Sequence, residues 1–368
     1  MSASTLDPSR RIKYGNLGNS GLKVSQIILG RMSYGSKEWG PWVLEEEAIR
    51  HIKFAYAPSS LTQSQIYSNG MSEVVLGNAI KKLQLPHAEI VVMTKVHGAV
   101  GKTPGVNSLE LYLAGPDNVG YVNQHGLSRK HLFHSVQASL KRLQLDHIDV
   151  LQCHRFDYDT PVSETMQALH DVVKAGFVLL SRWVRYIGMS SCYAWQRFRL
   201  TCVTDYAITH NLTPFISMQN HYNLIHREEE HEMMPSLKHF DVRSIPWSPL
   251  ARASDDFPSD VYFTLGAGNK EVVARVEKIA KKHNKTMAQV SLAWLLTKDE
   301  VTAPIVGTTS LEKLEDLLGA FDVKLSSEDI KYMEEPYKPM EILLYRGSQS
   351  CRFSVDSEAI LKSILNRF

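Results

Sequence analysis

Three side chains with complementary proton chemistry follow three of the predicted strands of this sequence. Tyr67, Lys95 and His154 each stand at or directly after the end of an apolar run that we expect to form a strand. A tyrosine hydroxyl has a pKa near 10, but a neighbouring lysine cation favours the phenolate and lowers that pKa. A histidine beside them can donate a hydrogen bond to a carbonyl oxygen and orient it. The set predicts proton donation to a carbonyl, which requires a hydride from a bound cofactor.

The sequence lacks the motifs of several other kinds of active site. It contains neither HExxH nor the phosphate-binding patterns GxGxxG and GxxxxGK[ST], which disfavours a zinc protease, a Rossmann site and a P-loop. Gly188-Met-Ser190-Ser-Cys192 lacks the second glycine of a GxSxG nucleophile elbow. His226 and His231 lie five residues apart in a charged stretch, which we interpret as a solvated helix face. No metal site is therefore predicted.

Eight short apolar runs alternate with amphipathic stretches along most of the chain. Strict strand–helix alternation indicates a parallel sheet, and eight such units fit an α/β fold of the (β/α)8 TIM-barrel class. We predict an N-terminal β-hairpin within 12–28 and strands at 27–29, 61–66, 90–94, 148–153, 184–189, 215–218, 244–246 and 302–306. Helices are predicted at 45–56, 72–83, 128–143, 163–175, 194–210, 229–239, 271–283, 287–297 and 311–321. Ser72, Ser128 and Ser310 are the predicted helix caps.

Composition and charge narrow the class of protein. The chain has 368 residues and a net charge of +2, so no nucleic-acid surface is expected. It contains no apolar run long enough for a membrane span. Its four cysteines form no CxxC pair, and residues 1–11 lack the apolar core of a signal peptide, so we expect a cytoplasmic protein. Residues 1–340 are predicted to form the barrel and residues 341–368 a C-terminal helical tail.

Polar and aromatic residues also follow the other predicted strands. Residues 190–191 end the fifth strand, 219–220 follow the sixth, 247–248 the seventh and 307–308 the eighth. In a (β/α)8 barrel the carboxyl ends of all strands meet at the face that carries the active site. We therefore expect these residues to share one mouth with the tyrosine, the lysine and the histidine.

Seven stretches of the chain carry a resemblance to a known family. They are Tyr67-Ser-Asn-Gly-Met-Ser-Glu73, Thr94-Lys95-Val96, Gln152-Cys-His154-Arg-Phe156, Gly188-Met-Ser190-Ser191, Met218-Gln219-Asn-His-Tyr222, Pro246-Trp247-Ser248-Pro249-Leu250-Ala251 and Pro304-Ile-Val-Gly307-Thr-Thr309. Together they resemble the aldo-keto reductases, in particular the aryl-alcohol-dehydrogenase-like branch of fungi and bacteria. The resemblance covers residues 12–339 and implies NADPH-dependent reduction of an aromatic or polyketide-derived aldehyde or ketone.

The resemblance implies a role for each of these residues. Tyr67 would be the proton donor, Lys95 the partner that lowers its pKa, and His154 the group that orients the carbonyl. The cofactor NADP(H) would be bound at its carboxamide by Ser190, Ser191 and Gln219, at its nicotinamide ring by Trp247, at its pyrophosphate by Ser248, Pro249, Leu250 and Ala251, and at its adenosine phosphate by Gly307, Thr308, Thr309 and Ser310. Lys313, with Arg252 as the alternative, would add charge for a 2′-phosphate.

Two stretches depart from the family pattern. The second strand is apolar in the family and ends in an aspartate, whereas this chain has Thr62 at that position within a polar run, 59–65. Thr62 cannot form an ion pair with Lys95. An apolar run at 177–183 also interrupts a turn that is short in the family. Our hypothesis is a local gene-model error at 57–66 and 177–183; genuine divergence is the alternative, and the spliced transcript distinguishes them.

Two further alternatives stay open. Loss of the aspartate favours a non-catalytic NADPH-binding regulatory or sensor subunit, a role that relatives on this fold serve, whereas the retained Tyr67, Lys95 and His154 favour catalysis. A sugar-phosphate barrel enzyme is a third reading, which leaves the Trp247-Ser-Pro-Leu250 stretch unexplained. The long connection 97–127 is either a surface insertion or a lid over an apolar substrate.

Overall fold

The computed structural model describes residues 12–38, 44–55, 60–103, 105–175, 183–192, 206–251 and 269–339. A two-stranded antiparallel hairpin precedes eight parallel strands, which confirms the predicted hairpin and barrel. The strands are β1 Tyr14–Asn16, β2 Lys23–Ser25, β3 Ile28–Gly30, β4 Ser60–Thr62, β5 Val91–Val96, β6 Ile148–Cys153, β7 Val184–Ser190, β8 Phe215–Gln219, β9 Arg243–Ser244 and β10 Ile305–Val306. In space the parallel strands follow the order β10-β3-β4-β5-β6-β7-β8-β9.

Hydrogen bonds join the two outer strands of this order and close the ring. The backbone N–H of Ser244 donates to the Glu300 carbonyl (2.8 Å), and that of Thr302 donates to the Ser244 carbonyl (2.9 Å). The N–H of Ile305 donates to the Pro246 carbonyl (2.8 Å). Proline has no N–H to donate, which shortens the strand predicted at 244–246 to two residues.

Ten α-helices lie among the described residues. They are α1 Glu45–Ala55, α2 Met71–Lys82, α3 Ser108–Ala114, α4 Arg129–Leu143, α5 Val162–Lys174, α6 Met233–His239, α7 Asn269–His283, α8 Met287–Leu295, α9 Leu311–Leu318 and α10 Ser327–Glu334. The sequence analysis missed α10, which begins with a capping box formed by Ser326 and Asp329. The structure contains no described helix with the length and apolarity that a membrane crossing requires.

The predicted caps were right at two of three helices. The hydroxyls of Ser128 and Ser310 accept the N–H groups of His131 and Lys313. Ser72 lies inside α2, which is capped by Gly70 instead, and its hydroxyl donates to the Arg31 carbonyl (2.9 Å). The cap at Ser72 was therefore a wrong prediction, because the left-handed Gly70 begins the helix two residues earlier.

The hairpin seals the amino-terminal end of the barrel. Leu17 and Val24 are fully buried in one apolar cluster with residues from the barrel interior, including Met93 and Val150. Gly18 has φ +60°, and a Cβ there would overlap the Ile216 carbonyl oxygen, so only glycine lets the turn approach so closely. Access to the barrel interior is therefore limited to the opposite end, where the strands finish.

Several predictions fall outside the described residues or change within them. The tail 341–368, most of the helix predicted at 194–210, the apolar run 177–182 and Arg252 lie outside the described residues. The connection 97–127 contains α3 and a short 3-10 turn at Pro116–Val119. The helix predicted at 229–239 is split into a 3-10 turn, Glu228–Glu230, and α6.

Candidate active site

The segment after β4 holds Tyr67 on a turn of unusual backbone. Ser68, Asn69 and Gly70 are three consecutive residues with left-handed φ values of 50°, 49° and 89°. Such non-glycine conformations cost about 1–3 kcal/mol each and persist only where the surroundings enforce them. The Ser68 hydroxyl accepts the N–H of Ser36 (2.8 Å), which ties the turn to the loop after β3. Tyr67 is thereby fixed, half-buried, between β4 and α2.

Asn69 ties the same turn to the long connection 97–127. Its side-chain amide donates to the Val106 carbonyl (2.7 Å), and its amide oxygen accepts the Gly101 N–H (2.9 Å). Tyr121 and Leu111 pack with Ala99 in a small apolar cluster within the connection. The connection is thus anchored beside Tyr67, which is compatible with the predicted lid.

Lys95 ends β5 inside the barrel mouth. Its ammonium donates to the Gln63 carbonyl (2.8 Å), and a longer contact reaches the Thr62 hydroxyl (3.5 Å). It also lies 5.2 Å from the centre of the Tyr67 ring. Burial lowers the pKa of Lys95 to about 7, and within the described part of the chain no carboxylate forms an ion pair with it. The two neutral oxygens therefore take the place of the aspartate that the family pattern predicts.

His154 follows β6 and meets Tyr67 edge to face. The two ring centres are 5.8 Å apart, with an angle of 89° between the ring planes. Burial, together with the nearby Lys95 cation, holds the pKa of His154 well below its usual range, so the ring is neutral at physiological pH. Its Nδ1 lies 3.1 Å from the Ser64 hydroxyl. The structure thus brings together the three residues predicted to act on a carbonyl.

Ser190, Ser191 and Gln219 lie together at the ends of β7 and β8. The Ser190 hydroxyl donates to the Gln219 carbonyl (2.8 Å) and lies 3.2 Å from the Ser191 hydroxyl. Ser191 has a left-handed φ of 50°. The buried Gln219 Oε1 has no hydrogen-bond partner among the described residues. An unpaired side-chain acceptor and two hydroxyls at these neighbouring strand ends fit the amide group of a nicotinamide.

Trp247 follows β9 in a stack of three aromatic rings. His221 lies parallel to it at 4.3 Å, and His226 stacks on the other face of His221 at 4.3 Å. His226 is buried, so the interpretation of His226 and His231 as one solvated helix face was wrong; only His231 is exposed. The stack reflects the hairpin-like turn in which Asn223 and His226 pair their backbones. It supports one face of a half-buried indole at the mouth.

The two predicted phosphate-binding segments lie at neighbouring strand ends. In the first, Ser248 and Ala251 have left-handed φ values of 50° and 54° and flank Pro249 and Leu250. The second segment consists of Gly307, Thr308, Thr309 and Ser310. Within it the Thr308 hydroxyl accepts the N–H of Ser310, and the Ser310 hydroxyl caps α9. Lys313 is exposed on the first turn of that helix. The helix N-terminus and the exposed cation suit a phosphate group.

Comparison with known proteins decides the family. The sequence profile of the Aldo/keto reductase family matches residues 26–338. A provisionally named aryl-alcohol dehydrogenase of Schizosaccharomyces pombe is 44% identical over 89% of this chain and 97% of its own length. The versiconal hemiacetal acetate reductase of Aspergillus parasiticus is 41% identical, covering 90% and 98% of the two chains. An aldo-keto reductase of Metarhizium robertsii is also 41% identical, covering 90% and 93%.

This chain belongs to the aldo/keto reductase family. It is accordingly an NAD(P)-dependent oxidoreductase that acts on small carbonyl compounds. The unpaired amide oxygen of Gln219, the ring stack under Trp247 and the helix N-terminus at Ser310 fit such a dinucleotide. The family membership agrees with the sequence-based resemblance in both fold and class of enzyme.

One residue of this aldo/keto reductase site escaped the sequence analysis. Arg31 follows β3 and is completely buried, with its Nη2 donating to the Gln63 amide oxygen (2.6 Å). Burial lowers the pKa of Arg31 to about 9, and the charges of Tyr34 and Glu73 oppose that shift. Arg31 comes directly after the first strand of the barrel, so its position at a strand end is the sequence signal that points to it.

Ser64 was the second omission. It belongs to the polar run 59–65, which the sequence analysis treated only as a departure from the family pattern. In the structure Ser64 is fully buried, its hydroxyl contacts His154 and its carbonyl accepts the Tyr67 N–H (3.1 Å). Ser64 therefore touches two of the three predicted catalytic residues.

Proposed function

We propose that this aldo/keto reductase reduces an aldehyde or ketone to the alcohol with NADPH, and that Tyr67 donates the proton. The convergence of Tyr67, Lys95 and His154 at one barrel mouth carries the proposal. A cytoplasmic role in fungal secondary metabolism, such as mycotoxin formation, is part of the same proposal. It is supported by relatives that include the versiconal hemiacetal acetate reductase.

The substrate we propose is aromatic or polyketide-derived, with a versiconal-type hemiacetal as one example. The connection anchored beside Tyr67 exposes several large apolar side chains, namely Tyr112, Leu113, Val119 and Val122. Exposed apolar surface next to a polar site is typical of binding regions for apolar ligands. The names of two relatives, a provisionally named aryl-alcohol dehydrogenase and the versiconal hemiacetal acetate reductase, point the same way.

Four residues of the site have different roles in the proposed reaction. Bound NADPH supplies the hydride. His154, held neutral, donates its Nε2–H to the carbonyl oxygen, while Ser64 donates its hydroxyl hydrogen to Nδ1 and so fixes the required tautomer. Tyr67 then gives its proton to the same oxygen, and the Lys95 ammonium stabilises the phenolate that remains.

Two measurements on the intact protein test the proposal. Fluorescence titration with NADPH measures cofactor binding, and the absorbance of NADPH measures turnover of aromatic aldehydes. We expect saturable binding together with turnover. Turnover with no dependence on Tyr67, or no binding of NADPH, would contradict the proposal.

A binding subunit without catalysis is a second candidate, favoured by one observation. Lys95 lacks an ion-pair carboxylate in the described part of the chain, and its pKa of about 7 leaves it largely uncharged in mildly alkaline solution. An uncharged lysine does not stabilise a phenolate. Tight NADPH binding without turnover at any pH would favour this role.

A further inference from the structure

A cluster of two histidines and an aspartate lies at the opposite end of the barrel from the active site. His87 begins the 3-10 turn His87–Glu89 before β5, and His147 and Asp149 flank the first residue of β6. Lys95 and His154 lie at the other ends of these same two strands. The cluster is therefore separate from the carbonyl-reducing site, and nothing in the proposed reaction uses it.

The cluster places three potential ligand atoms close together. His87 Nε2 lies 3.0 Å from one oxygen of Asp149, and His147 Nε2 lies 3.6 Å from the other. One ligand atom from each residue lies within 4.8 Å of the other two. The side chains are only 14% (His87 and Asp149) and 19% (His147) exposed, so the group is a shielded pocket with access to solvent.

A second carboxylate, that of Asp146, holds the ring of His147. His147 Nδ1 lies 2.9 Å from Asp146 Oδ1, at the nitrogen that faces away from Asp149, whereas the buried His87 Nδ1 has no hydrogen-bond partner among the described residues. Asp149 is itself fixed, since its Oδ2 accepts the N–H of Val92 (2.8 Å). Metal-bound histidines usually donate their second ring nitrogen to a carboxylate in this way, which fixes the tautomer and the ring orientation.

We propose that His87, His147 and Asp149 bind a divalent transition-metal ion of the zinc class, with water in the fourth position. Two imidazole nitrogens and one carboxylate suit Zn²⁺, Co²⁺ or Ni²⁺ and are poor ligands for Mg²⁺ and Ca²⁺. The ion would join the segments that begin β5 and β6, and so would act on stability at the face where barrels commonly carry it.

Binding requires a small movement of the rings. The two imidazoles stack at 4.0 Å with 13° between their planes, so their Nε2 lone pairs run side by side. Tetrahedral zinc with bonds of about 2.0–2.1 Å places ligand atoms about 3.4 Å apart. The rings must therefore tilt toward each other, about their side-chain bonds, while the anchored Asp149 stays in place.

The test uses the full-length protein, stripped with a chelator and titrated calorimetrically with zinc chloride. His87→Gln and His147→Gln remove one ligand each, and His283→Gln is the matched control. His283 pairs with Asp329 at 2.9 Å, as His87 pairs with Asp149, but without a second imidazole in that pair. Circular dichroism shows that each variant is folded. Wild type and His283→Gln should bind one equivalent of zinc more than the two ligand variants, and zinc should raise the Tm only where it binds.

Three further results decide the outcome. Cobalt should give a visible absorption band in wild type that His87→Gln and His147→Gln lose, and Mg²⁺ should not compete. Asp146→Asn, which leaves the three ligands intact, should weaken zinc binding by about ten-fold or more. This variant replaces the ligand variants in the test if one of them fails to fold. Equal zinc stoichiometry and affinity in wild type, His87→Gln and His147→Gln would overturn the proposal. So would a loss of zinc binding in His283→Gln but not in the ligand variants.

Discussion

The two ends of this barrel are built on opposite principles. At the amino-terminal end, Leu17 and Val24 of the hairpin close the interior with apolar side chains that are fully buried. At the carboxyl end, buried polar atoms remain without hydrogen-bond partners among the described residues, as on Arg31, Gln152 and Gln219. An unpaired buried polar atom costs about 1–3 kcal/mol. The first end is thus built for stability, and the second keeps polar groups that a cofactor and a substrate can satisfy.

Backbone conformation separates the two kinds of region as well. Among the left-handed residues in turns away from the mouth, Asn211, Asp241 and Asn284 are of types that tolerate this conformation, whereas Gln84 and Gln144 are not. At the mouth the left-handed positions are occupied largely by serine and alanine, namely Ser68, Ser191, Ser248 and Ala251, together with Asn69. Strain of this kind is concentrated where the surrounding structure fixes a functional group.

Removal of one hydroxyl tests the mouth most directly. Tyr67→Phe should lower kcat/KM by about 10²–10⁴-fold, the usual contribution of a positioned acid–base group, because the proton source is lost. NADPH binding should survive, since the cofactor contacts are unchanged. Tyr332→Phe, which removes a hydroxyl that contacts Lys278 on α7, is the control. If Tyr67→Phe retained most of the wild-type rate, Tyr67 would not be the donor.

Truncation of the hairpin tests the other end. Leu17→Ala should lower the free energy of unfolding by about 2–5 kcal/mol, because it leaves a cavity in the sealed core. Denaturant titration measures this loss, and kcat/KM of the folded fraction should not change. Ile208→Ala, at a side chain that is 55% exposed, should have little effect on stability. A fall in kcat/KM for folded Leu17→Ala would show that the two ends are coupled.

The fold was predictable where apolar runs are long and bounded by turns. The bounds 148–153 of β6 were predicted to the residue, because four of its six residues are apolar and polar residues flank it on both sides. The two-residue strands β9 and β10 could not be predicted as precisely, since their lengths depend on Pro246 and Pro304 and on pairing with distant segments. The second strand of the barrel, β4, ends at Thr62, but the backbone N–H groups of Gln63 and Gln65 still donate to carbonyls of β5. The polar run therefore still forms the predicted part of the barrel wall.

The site was predictable where one rule applied to all strands. The rule that chemistry follows strand ends located Tyr67, Lys95 and His154, which the structure brings together. The contact between Ser64 and His154 joins residues 90 positions apart, and it depends on strand register that no local pattern reveals. The neutral partners of Lys95 were likewise invisible, because one of them is a backbone carbonyl.

A carboxylate introduced beside Lys95 should raise the activity of the site at the carboxyl end of the barrel. In Thr62→Asp the new carboxylate should raise the pKa of Lys95 from about 7 and keep its ammonium charged beside Tyr67. We expect kcat/KM to rise about ten-fold, less than for a directly acting group, and the alkaline limb of its pH profile to move to higher pH. Thr62→Asn is the uncharged control. If neither the rate nor the profile changed, the loss at Thr62 would not limit this enzyme.

The same substitution should change how stability depends on pH. The folded protein holds Lys95 with a pKa of about 7, against 10.5 for an ordinary lysine, so the unfolded chain binds more protons between these values. The buried cation therefore destabilises the wild type fully below pH 7, and this cost disappears as the pH rises toward 10.5. Thr62→Asp should flatten that rise. Denaturant titrations at several pH values measure it.

The preference for NADPH over NADH tests the proposed phosphate-binding segment that precedes Lys313. We expect NADPH to bind about ten-fold or more tightly than NADH, because a charge-assisted bond to the 2′-phosphate is worth about 1.5–3 kcal/mol. Lys313→Ala should reduce this preference, whereas Lys324→Ala, at another exposed lysine, should not. If Lys313→Ala has no effect, Arg252→Ala is the next variant. Equal dissociation constants for the two cofactors in wild type would contradict the preference.

The smallest expected effect concerns the tautomer of His154. Ser64→Ala removes a hydrogen bond worth roughly 1 kcal/mol, so kcat should fall about five-fold while KM and NADPH binding stay unchanged. Since burial keeps His154 neutral, the loss should be the same throughout the neutral pH range. The ¹⁵N shifts of His154 should show the Nε2–H form in wild type and a mixture of tautomers in Ser64→Ala. Ser217→Ala, at a buried hydroxyl without a partner among the described residues, is the control. A rate loss with no change in the tautomer would mean that Ser64 acts through packing, and that the tautomer of His154 is fixed without its hydroxyl.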